Sequence, residues 1–166
     1  MDAFTGVPEA LSDANYLMKT LEINIPTGNY SVSVSTAYAS IRIAIVHGTS
    51  RNDLAQKLSY SAFSVLVSSF YHILNGGVGL PVNVIREDKG HDKLKSCREI
   101  IFRMLSLMQR IQGDCVGVRN EAKLALSKMA AICKKEVTNA GTTRKQELKE
   151  MWEAINKAMS VLDLGS

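Results

Sequence analysis

The sequence predicts an α+β fold: a small antiparallel sheet with packed helices in residues 1–90, followed by a long basic helical hairpin in residues 91–166, the two forming one folding unit. Three observations lead there. Between Leu21 and Ser35 apolar and polar residues alternate, which is the two-residue period of a half-buried strand. Between Leu94 and Ile132 the apolar residues recur at steps of three and four, the period of a helix. The composition, 46% hydrophobic and 22% charged with three prolines in 166 residues, is that of a chain able to bury a core without staples.

Residues 1–20 contain Pro8-Glu9-Ala10-Leu11 and Ser12-Asp13-Ala14-Asn15, compatible with one helical turn or an ordered arm. Leu21, Ile23 and Ile25 then alternate with Glu22 and Asn24, and Pro26-Thr27-Gly28-Asn29 turns the chain. Tyr30, Val32 and Val34 alternate in turn with Ser31, Ser33 and Ser35, which completes a hairpin. Its second strand carries no charge. Such an edge invites pairing with another chain, so Tyr30, Val32 and Val34, together with Phe63 and Phe70, are the expected self-association residues.

Thr36–His47 fits both periods. A short helix capped by Thr36 and closed at Gly48 is preferred, because Ala37 and Ala39 are poor strand residues. Ser50-Arg51-Asn52-Asp53 opens another helix with the stripe Leu54, Leu58, Ala62, Val65, Ser69 and Ile73, ended by Asn75-Gly76-Gly77. Its middle, rich in Ser, Val and Phe, is also compatible with strand. Tyr60, Phe63, Phe70 and Tyr71 read as core in preference to a stacking platform. Val82-Asn83-Val84-Ile85 reads as a last short strand.

The carboxyl half carries the longest pattern. From a cap at Asp92, the residues Leu94, Cys97, Ile101, Met104, Met108, Ile111, Cys115, Val118, Ala122, Ala125, Met129 and Ile132 make one stripe, widened by Leu105, Leu107 and Leu126. Gly113 and Gly117 mark the expected bend or break, since each weakens a helix by about 1 kcal/mol relative to alanine. Asn139 and Gly141 are left-handed candidates at the end, and Thr143-Arg144-Lys145-Gln146 has the form of a capping box. Leu148, Met151, Ile155, Ala158 and Leu162 continue the rhythm, with Trp152 expected as a wedge between the two arms.

Residues 1–85 carry four Lys/Arg and five Asp/Glu, whereas residues 86–166 carry sixteen and eleven, so the net charge of +4 divides as −1 and +5. A basic half points to a polyanionic partner, and also fits a merely solvated helix face. The cations expected to meet nucleic acid or an anionic surface are Lys93, Lys95, Arg98, Arg103, Arg110, Arg119, Lys123, Lys128, Arg144 and Lys145. Cys97, Cys115 and Cys133 repeat every eighteen residues, about 27 Å apart on one helix, which suits packing and neither a disulfide nor a shared metal. His47, His72 and His91 have no ligand spacing, and Gly76-Gly77-Val78-Gly79 lacks the Lys-Ser/Thr of a phosphate loop. No catalytic motif, membrane span or secretion signal is evident, so the reading is a cytoplasmic, non-enzymatic protein with no cofactor and no evident small-molecule substrate.

Residues 20–82 resemble the core of a rhabdovirus matrix protein. The likeness rests on Leu21-Glu-Ile-Asn-Ile25, the Pro/Gly/Asn turn, the Ser/Val strand, Ser40-Ile41-Arg42-Ile43 before Gly48, and an apolar Ser/Phe segment before a Gly-rich loop. The chain lacks that family's Pro-Pro-x-Tyr signal and lysine-rich amino end, and its carboxyl half is helical. The resemblance implies a self-associating structural protein of host cytoplasm and virion, contacting nucleoprotein or RNA and an anionic membrane surface. A second stretch, Val116-Gly-Val-Arg-Asn120, Lys128 and Arg144-Lys-Gln-Glu-Leu148, resembles ribosome recycling factor and implies instead a translation or ribosome-associated factor. That family's three-helix bundle needs a long first helix, which residues 1–20 are not expected to supply.

Overall fold

The computed structural model describes residues 6–24, 30–47, 52–75, 93–109, 116–139 and 141–164. They form six helices: α1 (Gly6–Asn24), α2 (Tyr30–His47), α3 (Asn52–Leu74), α4 (Lys93–Met108), α5 (Val116–Asn139) and α6 (Thr142–Leu164). Among the described residues there is no strand, so the expected α+β class is corrected to an all-helical fold. Of the presumed hairpin, residues 21–24 end α1 and residues 30–35 open α2, while Ile25 and the turn at Pro26–Asn29, like Val82–Ile85 and the cap at Asp92, lie outside the described residues.

The reason for the correction is visible in α2. Its buried residues are Tyr30, Ser33, Val34, Ala37, Tyr38, Ser40, Ile41 and Ala44. Most follow one another at steps of three and four, so the inward face is helical although Val and Ser alternate in the sequence. Of the serines that resemble the wet side of a strand, Ser33 is buried whereas Ser31 and Ser35 are exposed, so the alternation does not divide inside from outside. Helices tolerate such hydroxyls where each bonds a carbonyl one turn back. Thr36 Oγ1 donates to the Val32 carbonyl at 2.7 Å, so Thr36 lies inside α2 and does not cap a later helix. Ser59 Oγ in α3 does the same to Ala55 at 2.7 Å. In α1 the buried Met18 lies between the half-buried Ala14 and Leu21, again at helical spacing. Pro8 falls in the first turn, where its missing N–H is harmless.

α3 is the central element. It packs on α1, α2 and α5, and more lightly on α4, while α6 covers α5 and touches α4. The stripe expected for α3 is inside, with Leu58, Ala62, Val65, Ser69 and Ile73 buried and Leu54 half-buried. The long carboxyl stripe is inside as well. Leu94, Cys97, Ile101, Met104, Met108, Val118, Ala122, Ala125 and Met129 are buried and Ile132 is half-buried; Ile111 and Cys115 lie outside the described residues. The stripe belongs to two helices, because α4 ends at Met108 and α5 begins at Val116, around the glycine expected to bend it. One continuous apolar cluster runs from Met18 in α1 to Leu162 in α6 and crosses residue 90, where the sequence suggested a division.

Further details differ from expectation. α1 is a 19-residue helix, so the amino end does supply one. Trp152 is 42% exposed at the outer seam of α5 and α6 and is no wedge between them. Gly141 is not left-handed, whereas Gly117 has a packing reason to be glycine: a Cβ there would stand 2.9 Å from Gln56 Cβ. α5 therefore crosses α3 at close range beside Asn52 and Gln56.

Candidate functional site

Two surfaces compete for a functional role, and each follows from which side of α3 and α5 is left outside. The first is a cleft of about 640 Å³ where α1, α3 and α5 meet, lined by Asn15, Lys19, Asp53, Gln56, Lys57, Tyr60, Ser61 and Glu121. Four of its polar groups pair with one another. Ser61 Oγ donates to Asn15 Oδ1, and Gln56 Nε2 donates to Glu121 Oε1 at 3.3 Å. Two lysines face two carboxylates, so the cleft has no net field to concentrate an ion of either sign.

The second surface is the outer side of α5. Asn120, Leu124, Ser127, Lys128, Ala131, Lys134, Lys135 and Thr138 are exposed, while Glu121 and Glu136 are half-buried to the side. Lys128, Lys134 and Lys135 thus stand on an acid-free ridge, spread over about 10 Å at 1.5 Å per residue. Lys128 Nζ lies 5.9 Å from the ring centroid of Tyr60, a residue that is 54% exposed, so this cation is drawn to an aromatic face at the α3–α5 groove. Across the seam Lys134 and Val137 share a groove of about 330 Å³ with Lys149, Trp152 and Glu153 of α6.

No protein-family model, curated protein or solved structure matches this chain.

The cations expected from the sequence are dispersed. Arg103 is exposed on α4, its Nε 3.1 Å from Glu99 Oε1 and its guanidinium 5.6 Å from the centroid of Tyr38. Lys95, Arg98, Lys123 and Lys145 are half-buried, and Lys128 is exposed. Arg119 is 4% exposed, so it belongs to the interior and presents no guanidinium to a phosphate. The side chains of Lys93, Arg110 and Arg144 lie outside the described residues. Of the expected self-association residues, Tyr30, Val34, Phe63 and Phe70 are spent on the chain's own core, and Val32 alone is at the surface, 52% exposed.

Sequence reasoning passed over Lys134, Lys135 and Lys149. The adjacent Lys134-Lys135 pair was the available signal, since two neighbouring cations close to the end of a long apolar stripe cannot both be inside. Cys133, the residue before the pair, points inward; burial and then Glu136 push its thiol up to about 12. A thiol held so firmly protonated packs as a small hydrophobe and is no nucleophile at neutral pH. Among the described residues no three His, Cys, Asp or Glu side chains gather to hold a metal ion, and no helix is long and apolar enough to cross a membrane.

Proposed function

We propose that this chain is a non-enzymatic helical binding protein that engages single-stranded RNA along the outer ridge of α5. The observation that carries the reading is the acid-free run Lys128, Lys134 and Lys135, with Lys149 across the seam, in the half of the chain that holds a net +5. Phosphates need only reach and charge, and each one neutralised releases counterions, so affinity falls as salt rises. Exposed aromatic faces beside the lysines, Tyr60 and Trp152, favour unpaired nucleic acid over a lipid surface, because bases stack on such faces. Self-association is assigned to the outer side of α2, where Val32, Ser35, Ala39, Arg42 and Val46 are exposed at steps of three and four with a single charge among them.

Reversing Lys128, Lys134 and Lys135 to Glu is expected to abolish binding of a labelled oligonucleotide while helical circular dichroism stays the same. For the unaltered protein, log K against log salt is expected to fall with a slope of about −0.7 per phosphate contacted. Equal affinity in the triple variant would move the interface elsewhere, and binding to phosphatidylserine vesicles without RNA binding would replace this reading by a membrane one.

A further inference from the structure

We infer that the groove between α5 and α6 is a base-stacking site, in which one nucleobase of a single-stranded RNA lies on the Trp152 indole and the flanking phosphates meet Lys134 and Lys149. This rests on the proposed RNA binding and adds to it where, and by what chemistry, the strand is held.

Three features of the groove agree. On α6 the apolar residues Leu148, Met151, Ile155, Ala158 and Leu162 are all buried, but Trp152, the largest apolar side chain of the helix, is 42% exposed. An indole left partly in water retains apolar area that a flat partner can cover. The groove beside it, about 330 Å³ and mostly apolar in lining, is on the scale of a single base and lies in a short seam, whereas a membrane would need a broad apolar face. The charges are those of a polyanion site, for Lys134 enters from α5 and Lys149 from α6, so the groove is flanked by cations from both helices. Glu153 is the one acid in the lining. Its carboxylate repels a phosphate and accepts from an exocyclic amine or a ribose hydroxyl, so it fixes which side of the groove the backbone can take. The ridge carrying Lys134 and Lys135 then leads the strand away along α5 towards Lys128.

Trp152 is the chain's sole tryptophan, so its emission reports this groove alone. A labelled oligouridylate of about ten nucleotides, within the usual single-strand site size, would be titrated into the full chain while anisotropy and tryptophan emission are read together. Quenching with the same midpoint as the anisotropy rise is expected. Trp152→Ala is expected to weaken binding about ten-fold, as loss of a stacked base does, and Trp152→Phe to recover most of it. Inorganic polyphosphate, which has charge but no base, is expected to compete without quenching. An anisotropy rise with unchanged emission, or equal quenching by polyphosphate, would overturn the stacking site while leaving RNA binding in place. Absence of any anisotropy rise would instead overturn RNA binding itself, and the stacking site with it.

Discussion

Ser69 in α3 and Tyr38 in α2 each bury a hydroxyl that has no hydrogen-bond partner among the described residues. An unsatisfied buried hydroxyl costs about 1–3 kcal/mol, and replacing it by an apolar group of similar shape removes that cost. Ser69→Ala and Tyr38→Phe are therefore expected to raise the Tm, each by about 2–4 °C per kcal/mol recovered in a domain of this size. Tyr38→Phe keeps the ring that Arg103 faces, so the cation–aromatic contact survives. A clear loss of Tm in thermal denaturation of either variant would show that the hydroxyl is in fact satisfied. Titration gives a second expectation at the same scale. The Cys133 thiol ionises at 9.0 in an ordinary setting and is pushed up to about 12 here, by burial first and by Glu136 second. Burial likewise raises Tyr38 far above its ordinary 10.0, against a lowering influence from Arg103. In both groups the unfolded chain ionises before the native one. Their contribution is thus fully present below about pH 9 and is lost as the pH rises further, through about 12 for Cys133. Denaturant midpoints should hold level up to about pH 9 and fall above it, with native Cys133 inert to a thiol reagent throughout the level range. A midpoint that rises with alkali would contradict the burial of these two groups.

Between elements, the close crossing of α3 and α5 is the most exacting contact described. Gly117 faces Gln56 and Asn52, and an added Cβ would meet Gln56 Cβ, which its own backbone holds in place. Helix propensity alone would favour alanine here by about 1 kcal/mol. Overpacking of a tight contact costs about 1–3 kcal/mol and outweighs it. Gly117→Ala is expected to lower the Tm, and Gly141→Ala, with nothing within 4 Å of its Cβ, to leave it unchanged or raised. A stabilised Gly117→Ala would mean that the helices stand further apart than described. The same elements show how much was legible in the letters. The stripe from Leu94 to Met129 was plain because large apolar residues recur there at one period and are inside wherever described. α2 was not, because its inward face mixes Val and Ile with Ser and Ala, and small residues that permit close approach look polar or indifferent in a sequence. For the candidate site the share is smaller. Lys128 was foreseen, but Lys134 and Lys149 gather around Trp152 only because α5 and α6 lie side by side. Arg119 shows the converse, for nothing in its neighbours' identities announces that it is inside.

Among the described residues the large apolar side chains left exposed, Tyr16, Phe102, Leu124 and Trp152 among them, are spread over different helices, so no single face offers copies of the chain a broad apolar contact. What remains on α2 is small: Val32 and Val46 with Ser35 and Ala39 between them. Standard interfaces bury roughly 800 Å² on each partner, more than one short helix face can offer. Association through this face is therefore expected to be weak and concentration-dependent in light scattering, and Val32→Asp to leave only monomer. A tight oligomer that survives Val32→Asp would place the contact on another face.

α3 and α5 run in the same direction. Asn52 and Gln56 lie against Gly117 near the start of both helices, and Phe63 and Val67 share a groove with Ala125 and Lys128 farther along. A parallel pair cannot be joined by a tight turn, and here α4 intervenes between the two in the chain. During synthesis, then, the side of α3 that carries Tyr60, Phe63 and Val67 leaves the ribosome well before its cover has been translated. The first ninety residues must wait with that surface bare, which makes the nascent chain at this stage a natural client for a chaperone and the period of greatest risk for aggregation.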